Sequence, residues 1–389
     1  MALQRITTAA GLTVASATAV GIALSVVFAG AASAGAQHAP VPTPTPTVTA
    51  TRTPTPSPSP TVIVTRTPTP SPSPTVTATR TPTPSPSPTV TATRTPSPSP
   101  SPTRAQNDCF LSPSACGFPD ATNTGVPAGT ALLTVPGQIS SGPGWYFDSR
   151  GWVEVNVNGT NLSGLYIPYT LDISASNVTV NHVQVVTSGQ SSFGVSVRHT
   201  SGVTIENSTI SGVNATNGRL MVGVKDIYAD STGLQVLNND ISMASTGVQL
   251  ESGLVQGNYI HNVGYTAGDH INGVTSNGGG TALLTISHNS IFINYPQTDA
   301  ISLFEDFGAQ TNRVISNNLL AGGAYTIYAG QNAGGPTATN ITISGNRISP
   351  RIYSPGGVYG PVADFNAAGA GNTWTGNVWD DTGQTITAP

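Results

Sequence analysis

Charged side chains are scarce, at 8% of the 389 residues, and they are unevenly distributed. The first 104 residues contain six arginines and no acidic residue, whereas residues 105–389 carry seven basic and 17 acidic groups, a formal net charge of −10. A nucleic-acid-binding protein needs a basic surface to replace the phosphate counterions, so the acidic segment argues against a nucleic-acid partner. It argues less strongly against an anionic polysaccharide, which a few local arginines or a bound divalent cation can hold.

Charge is absent from residues 6–34, which follow Arg5. Two runs of small residues at the end of this stretch, Ala32-Ser33-Ala34 and Ala34-Gly35-Ala36, each fit a cleavage site. The pattern predicts a signal peptide over residues 1–36 and a secreted protein, extracellular or associated with the cell wall. The alternative is an uncleaved membrane anchor, and only in that case do we expect contact with a membrane.

Cysteine occurs only twice, as Cys109 and Cys116, where the acidic segment begins. An exported protein folds in an oxidising compartment, so we expect a disulfide that closes a short loop. A metal site is disfavoured because no histidine or further cysteine lies nearby.

Proline, threonine and serine dominate residues 37–104, and 20 of the 32 prolines lie between Pro40 and Pro102. Alternating proline favours the polyproline II conformation and prevents a packed core. We interpret this segment as a disordered linker that serves as a stalk or spacer. A disordered tail with sugars on its threonines and serines is the alternative. One folded domain is then expected over residues 105–389.

A repeat of the form apolar-x-x-Asn-x-apolar runs through the acidic segment at intervals of 19 to 31 residues. Two early copies have Val183 and Ser208 at the asparagine position. The copies that retain the asparagine are Asn239, Asn258, Asn289, Asn318, Asn346 and Asn377. Asparagine tolerates a left-handed φ at a turn, and its amide can bond to the asparagine of the next repeat.

Each repeat contains two or three short β-rich segments with no helical segment between them, which excludes βαβ units. Too few strands per repeat are present for a propeller blade. The pattern therefore predicts an all-β, single-stranded parallel β-helix of about eight coils, each stacked on the one before. The terminal coils need caps. We expect the Trp145–Trp152 segment, together with the disulfide, and the Trp374–Trp379 coil to supply them.

The unit Val-Thr-Ile-x-x-Asn-x-Ile resembles the repeat of right-handed parallel β-helix proteins of the pectate-lyase-like superfamily, over residues 130–380. Residues 116–130, 297–308 and 317–328 resemble segments of secreted actinobacterial β-helix proteins. The resemblance implies a secreted right-handed β-helix. It implies no particular reaction, because such folds include lyases, hydrolases, epimerases and adhesins without enzymatic activity.

Functional groups of a solenoid usually line one outward face, contributed by equivalent strands of adjacent coils. Many of the charged residues cluster on or beside the second strand of each coil. The polar residues there are Ser196, Arg198, Lys225, Asp226, Tyr228, Asp230, Gln249, Glu251, Asp269, His270, Asn272, Asp299, Ser302, Glu305, Asp306, Tyr325 and Tyr328.

One chemistry that these residues suit is that of a polysaccharide lyase. A lyase needs a base for the proton α to a uronic carboxylate, a group that neutralises this carboxylate, and an acid for the leaving oxygen. Lys225, the one lysine, is the predicted base, and His270 is the alternative. Arg198 or Arg219 would neutralise the carboxylate. The expected ligands of a Ca²⁺ ion are Asp226, Glu251 and Asp269.

A second chemistry is that of a glycoside hydrolase, which needs two carboxyl groups about 5–9.5 Å apart. Adjacent coils are separated by about 4.8 Å, so Asp269 with Asp299, or Asp299 with Glu305 or Asp306, could form such a pair.

The third possibility is binding without catalysis. Tyr325, Tyr328 and Tyr353 could stack on sugar rings, and the amides of Gln249 and Asn272 could bond to sugar hydroxyls. We expect the protein to be a monomer that acts on an extracellular polysaccharide as a lyase or hydrolase, with Ca²⁺ as the one cofactor considered. The alternative is a protein that binds a glycan or the cell wall without cleaving it.

Overall fold

The computed structural model describes residues 108–188 and 193–389. The predicted signal peptide (1–36) and linker (37–104) lie outside the described residues. The described chain is a parallel β-solenoid of about nine turns, as the repeat predicts. Its helical structure is limited to two short 3-10 helices, Cys109–Leu111 and Pro113–Cys116. No helix within the described ranges has the length and apolar character needed to cross a membrane.

Three sheets, named I, II and III here, extend along the solenoid. Sheet I contains β1 (Leu133–Thr134), β6 (Leu165–Ile167), β9 (Gln184–Thr187), β12 (Thr209–Gly212), β15 (Asp240–Ser242), β18 (Tyr259–His261), β21 (Ser290–Ile293), β24 (Leu319–Gly322), β27 (Arg347–Ser349) and β30 (Val378–Trp379). Sheet II contains β2 (Ser141–Gly142), β3 (Trp145–Phe147), β4 (Trp152–Val155), β7 (Thr170–Ile173), β10 (Phe193–Val197), β13 (Leu220–Asp226), β16 (Ala244–Gln249), β19 (Asn272–Ser276), β22 (Asp299–Leu303), β25 (Tyr325–Ala329) and β28 (Gly360–Ala363). Sheet III contains β5 (Asn161–Ser163), β8 (Thr179–Asn181), β11 (Thr204–Glu206), β14 (Gln235–Leu237), β17 (Gly253–Gln256), β20 (Leu284–Ser287), β23 (Thr311–Ser316), β26 (Thr339–Ser344) and β29 (Thr373–Thr375).

The chain passes from sheet III through the asparagine turn to sheet I and then to sheet II. Sheet III has nine strands, one for each turn, which is one turn more than the predicted eight. The added turn contains β5 and β6, where Leu165 occupies the asparagine position and Gly164 precedes it with a φ of 67°. Because this copy lacks the asparagine, the repeat pattern does not reveal it.

The six repeat asparagines form one continuous ladder of hydrogen bonds in the interior. Asn258 shows the pattern. Its backbone N–H and its Nδ2 donate to Oδ1 of Asn289 at 2.9 and 3.0 Å, and its Nδ2 also donates to the carbonyl of Val236 at 2.8 Å. Every ladder asparagine has an exposed fraction of 0%, so these amides rely on one another rather than on water. The degenerate position Ser208 continues the ladder, since its Oγ accepts from the N–H of Val183 at 3.1 Å.

The left-handed backbone lies one residue earlier than expected. The residue before each ladder position has a positive φ, whereas the ladder asparagines do not. These preceding residues are His182, Asn207, Asn238, Gly257, His288, Asn317, Gly345 and Gly376. Hydrogen bonding along the ladder and the left-handed turn therefore fall to different residues. The ladder side chain must point inward to reach its neighbours, and the residue before it adopts the φ near +55° that the turn needs.

The disulfide between Cys109 and Cys116 is confirmed, but its predicted place at the N-terminal cap is wrong. Residues 108–127, named the strap here, lie along the outer face of sheet I. The strap begins beside the last turns, where the N–H of Phe110 donates to Oδ2 of Asp380 at 2.9 Å. It ends near the early turns, where the N–H of Val126 donates to Oγ1 of Thr209 at 3.1 Å. The strap covers apolar side chains on the outside of sheet I that would otherwise meet water.

The two ends of the solenoid have the expected tryptophan-containing caps. At the start, β2, β3 and β4 form an antiparallel extension of sheet II, with Trp145 buried. At the end, the chain folds back after β30, so that Ile386 enters the core and its carbonyl accepts from Nε1 of Trp374 at 2.7 Å.

We expect Asn289→Ala to lower the free energy of unfolding by about 3 kcal/mol, because it leaves buried partners in two neighbouring turns without hydrogen bonds. The exposed Asn161 on β5 is the matched control, and Asn161→Ala should change the free energy of unfolding by less than about 0.5 kcal/mol. Urea unfolding followed by circular dichroism measures both. Equal effects of the two substitutions would contradict a stabilising role for the ladder.

Candidate functional site

An open groove of about 780 Å³ lies on the outer face of sheet II, between β13 and β25. Its walls are the loops that precede and follow β19 and β22. The sequence-predicted residues that line it are Lys225, Gln249, Asp269, His270, Asn272, Asp306 and Tyr328. The predicted residues that do not line it are Arg198, Arg219, Asp226, Glu251, Asp299 and Tyr325.

Strand register places equivalent side chains in straight rows across the groove floor. Along one row, Lys225 pairs with Gln249, which pairs with Thr275, followed by Ser302 and then Tyr328. A second row runs through Val222, Thr246, Asn272 and Asp299.

The two rows are three residues apart, because two consecutive residues of each strand face the interior. A Cβ at Gly247 or Gly273 would come within 2.8 or 2.2 Å of an interior isoleucine side chain, so these positions point inward. The next residues, Val248 and Val274, are also fully buried. If side chains alternated strictly between the interior and the outer face, one of the two rows would face the interior. The sequence alone therefore does not show which of these residues face outward.

Lys225 lies half-buried on the groove floor. Its Nζ donates to Oε1 of Gln249 at 2.6 Å and lies 5.4 Å from the ring centroid of Phe193. Burial lowers the pKa of Lys225, and the neighbouring charge of Asp226 only partly opposes this. A lowered pKa increases the fraction of neutral amine, which is the form that accepts a proton.

Asp269 forms part of the groove wall and is held by Arg219. The Nε and Nη2 of Arg219 donate to the two carboxylate oxygens, and Oγ of Ser245 donates at 2.7 Å. Burial alone would raise the pKa of Asp269, but the hydrogen bonds from Arg219, Ser245 and Thr266 outweigh it and hold the pKa below its ordinary value. Asp269 is therefore ionised, and its oxygens are already occupied.

Glu251 lies beneath the groove and holds the chain that follows β19. Its carboxylate accepts from Oγ of Ser276 at 2.7 Å and from the N–H groups of Asn277 and Gly278. Nη2 of Arg313, which has an exposed fraction of 0%, lies 3.5 Å from Oε2. Burial raises the pKa of Glu251, and these donors oppose the rise. This buried ion pair fixes Asn277, which lines the groove.

Asp226, Arg198 and Tyr325 also lie outside the groove. Asp226 faces the interior and accepts from the N–H and Oγ of Ser231 at 3.0 and 2.9 Å. Arg198 donates to Oδ1 of Asp172 at 2.7 Å, on a turn before the groove. The ring of Tyr325 packs against Tyr328, with centroids 5.4 Å apart.

Asp299 continues the second row of the groove floor, next to Asn272, but it is completely buried and has no ion-pair partner among the described residues. Its Oδ1 lies 2.6 Å from Oγ of Ser302, and its Oδ2 has no hydrogen-bond partner. Burial raises the pKa of Asp299 well above its ordinary value.

Three further residues present their side chains to the groove space. His270 and Asp306 are exposed, and within the described ranges neither side chain has a hydrogen-bond partner. Tyr328 closes one end of the groove beside Phe304, with ring centroids 5.9 Å apart. Burial raises the pKa of Tyr328. The exposed imidazole and carboxylate are free to meet a ligand.

Sequence reasoning missed the inward-facing Arg313, which organises the groove from beneath. A signal was present in the register, because Arg313 occupies the same column of sheet III as Leu284 and Ile341. An arginine in an apolar column indicates a buried partner.

The three predicted Ca²⁺ ligands are held apart by separate partners. Asp226 bonds to Ser231, Glu251 to the chain after β19, and Asp269 to Arg219. In the part of the chain that the structure describes, no three His, Cys, Asp or Glu side chains are grouped so that they could hold a metal ion.

No protein-family model and no curated protein matches the sequence. The functional proposal below therefore depends on the groove itself.

We expect Asp269→Asn to lower the free energy of unfolding by about 3 kcal/mol at neutral pH, because it leaves the buried Arg219 without its counter-charge. The pKa of Asp269 is lower in the folded state, so its contribution is complete well above pH 3.8 and is lost as the pH falls through the folded-state pKa. The difference between wild type and variant should therefore shrink below pH 3.8. Urea unfolding across this pH range measures it, with the exposed Asp306→Asn as control. A difference independent of pH would contradict an ionised Asp269.

Proposed function

We propose that the groove on sheet II binds an extracellular polysaccharide and cleaves it, with Lys225 as the base. The observation that carries the proposal is the position of the one lysine, half-buried on the floor of an open groove, with a lowered pKa and an exposed imidazole and carboxylate nearby. The groove volume suits a few sugar units of a longer chain that enters and leaves along the open face.

The contacts of the carboxylates favour elimination over hydrolysis. A hydrolase needs two carboxyl groups that both reach the glycosidic bond. Asp299 is fully buried, and the oxygens of Asp269 are occupied by Arg219 and Ser245. Asp306 remains as the groove carboxylate that is both exposed and without a hydrogen bond.

In the proposed elimination, the neutral amine of Lys225 takes the proton on the carbon next to a uronic carboxylate. The electron pair of that C–H bond forms the new carbon–carbon double bond, and the bond to the glycosidic oxygen breaks. The imidazolium of His270 returns a proton to the leaving oxygen. We include Ca²⁺ as a variable in the assay, since a cation would help to neutralise the uronic carboxylate.

A second candidate function is binding without cleavage. The amides of Gln249 and Asn272 and the hydroxyl of Thr275 form a polar floor, and the rings of Tyr328 and Phe304 offer an apolar surface. Such a combination can bond to sugar hydroxyls and stack on sugar rings. In both cases we propose that the protein is secreted and acts at the cell wall or outside the cell, as its predicted signal peptide indicates.

We expect Lys225→Met to lower the rate of cleavage at least about 100-fold, because it removes the base. The full secreted chain is incubated with anionic and neutral polysaccharides, with and without Ca²⁺, while the absorbance of unsaturated uronates and the number of reducing ends are followed together. Wild-type activity should follow a bell-shaped pH profile, because the reaction needs Lys225 neutral and His270 protonated at the same time. Arg351→Met, on the far side near the strap, is the control and should retain full activity.

Each outcome of this experiment has a distinct meaning. New reducing ends without new absorbance would show that the protein cleaves by hydrolysis and not by elimination. Retention of the protein on a polysaccharide without any product would favour the binding function. Unchanged cleavage by Lys225→Met would overturn the role of Lys225.

A further inference from the structure

We propose that Asp299 positions the Asn272 amide through Ser302, so that the groove floor offers an N–H donor to a hydroxyl or carboxylate oxygen of the bound sugar. The identity of the acceptor rests on the proposed function, whereas the positioning of Asn272 is independent of it.

A chain of three contacts connects the buried acid to the groove. Oδ1 of Asp299 lies 2.6 Å from Oγ of Ser302, and the same Oγ lies 3.1 Å from Oδ1 of Asn272. Nδ2 of Asn272 then lies 3.4 Å from Oγ1 of Thr246. Asn272 and Thr246 line the groove, whereas Asp299 and Ser302, which follow Asn272 and Thr275 in the two rows, are fully buried.

The number of hydrogens available along this series of contacts determines which groups can donate. The Ser302 hydroxyl has one hydrogen and two nearby oxygens, those of Asp299 and Asn272. It can donate to only one of them. With Oδ1 of Asn272 toward Ser302, as in this structure, both contacts are satisfied only when Asp299 carries a proton on Oδ1 and donates it to Ser302, which then donates to Oδ1 of Asn272.

The surroundings of Asp299 favour this neutral form. Burial without a counter-ion raises its pKa. The titratable groups nearest on the adjoining strands are Tyr325 and Tyr328 on β25 and His270 before β19. None of them supplies a permanent positive charge beside the carboxyl group, and among the described residues the Asp299 carboxyl bonds only to Ser302.

The orientation of the Asn272 amide follows from its oxygen being held by Ser302. The NH₂ group must then point toward Thr246 and the groove, with one N–H in a long contact to Thr246 and the other without an acceptor among the described residues. An ionised Asp299 would instead take the Ser302 hydrogen, and the Asn272 amide would turn so that its NH₂ donates to Ser302 and its oxygen faces the groove. Asp299 thereby sets whether the floor presents a donor or an acceptor at this point.

Asp299→Asn tests the idea, because its amide can still donate to Ser302 but cannot ionise. We expect the wild type to bind the polysaccharide about tenfold more weakly once the pH rises through the pKa of Asp299, and Asp299→Asn to show no such loss. Both proteins retain Lys225 and His270, so the comparison isolates Asp299. Ser302→Ala should bind about tenfold more weakly at every pH. Ser290→Ala, which removes a buried hydroxyl with no hydrogen-bond partner on sheet I, is the control and should bind normally.

A second measurement needs no sugar. The infrared difference spectrum of wild type minus Asp299→Asn at pH 7 should contain the C=O band of a protonated carboxylic acid. The Asn272 side-chain NH₂ resonances should shift in Ser302→Ala but not in Ser290→Ala. Carboxylate bands in place of the acid band, or unchanged Asn272 resonances in Ser302→Ala, would overturn the proposal. Failure to bind any polysaccharide would remove the proposed function and leave this test intact.

Discussion

A buried asparagine amide in each of the last six turns holds this solenoid in register, and the groove depends on that register. The typical ladder amide donates to the asparagine of the next turn and also to a carbonyl of the turn before, so these turns restart at the same angular position. Repeats of 19 and of 31 residues can therefore stack without shifting their strands. The added residues of the longer repeats leave the stack as loops between sheets I and II or after sheet II, and these loops form the groove walls that carry Asp269, His270 and Asp306.

Much of the fold could be predicted, because the ladder leaves a visible spacing in the sequence. The class of fold, the asparagine positions, the disulfide and both tryptophan caps follow from local patterns. The path of the strap does not, since Phe110 and Phe118 pack against residues more than a hundred positions away and no local pattern encodes such contacts. The first turn was missed for a related reason, because Leu165 replaces the asparagine that identifies the other turns.

The candidate site was predictable in its location but not in the roles of its charges. Clustering of polar residues on the second strands indicates the correct sheet, because strand order alone brings them together. Whether a carboxylate is free depends on partners from other turns. Asp269 is occupied by Arg219, Glu251 lies near Arg313, and Asp299 is buried with only a serine. These three carboxylates differ because of their burial and their neighbours in other turns. The spacing of residues along the sequence does not reveal either.

The strap gives the described chain an unusual mechanical layout. Asp108 is paired with Arg351 near the last turns, whereas the chain joins sheet I at β1, near the first turn. A force applied through the chain before residue 108 therefore acts first near the C-terminal end of the rod and runs along its side before reaching the first strand. The Phe110 and Phe118 contacts and the Arg351 ion pair must break in sequence before any strand is loaded. Tension therefore reaches the stacked turns only after the contacts of the strap have broken.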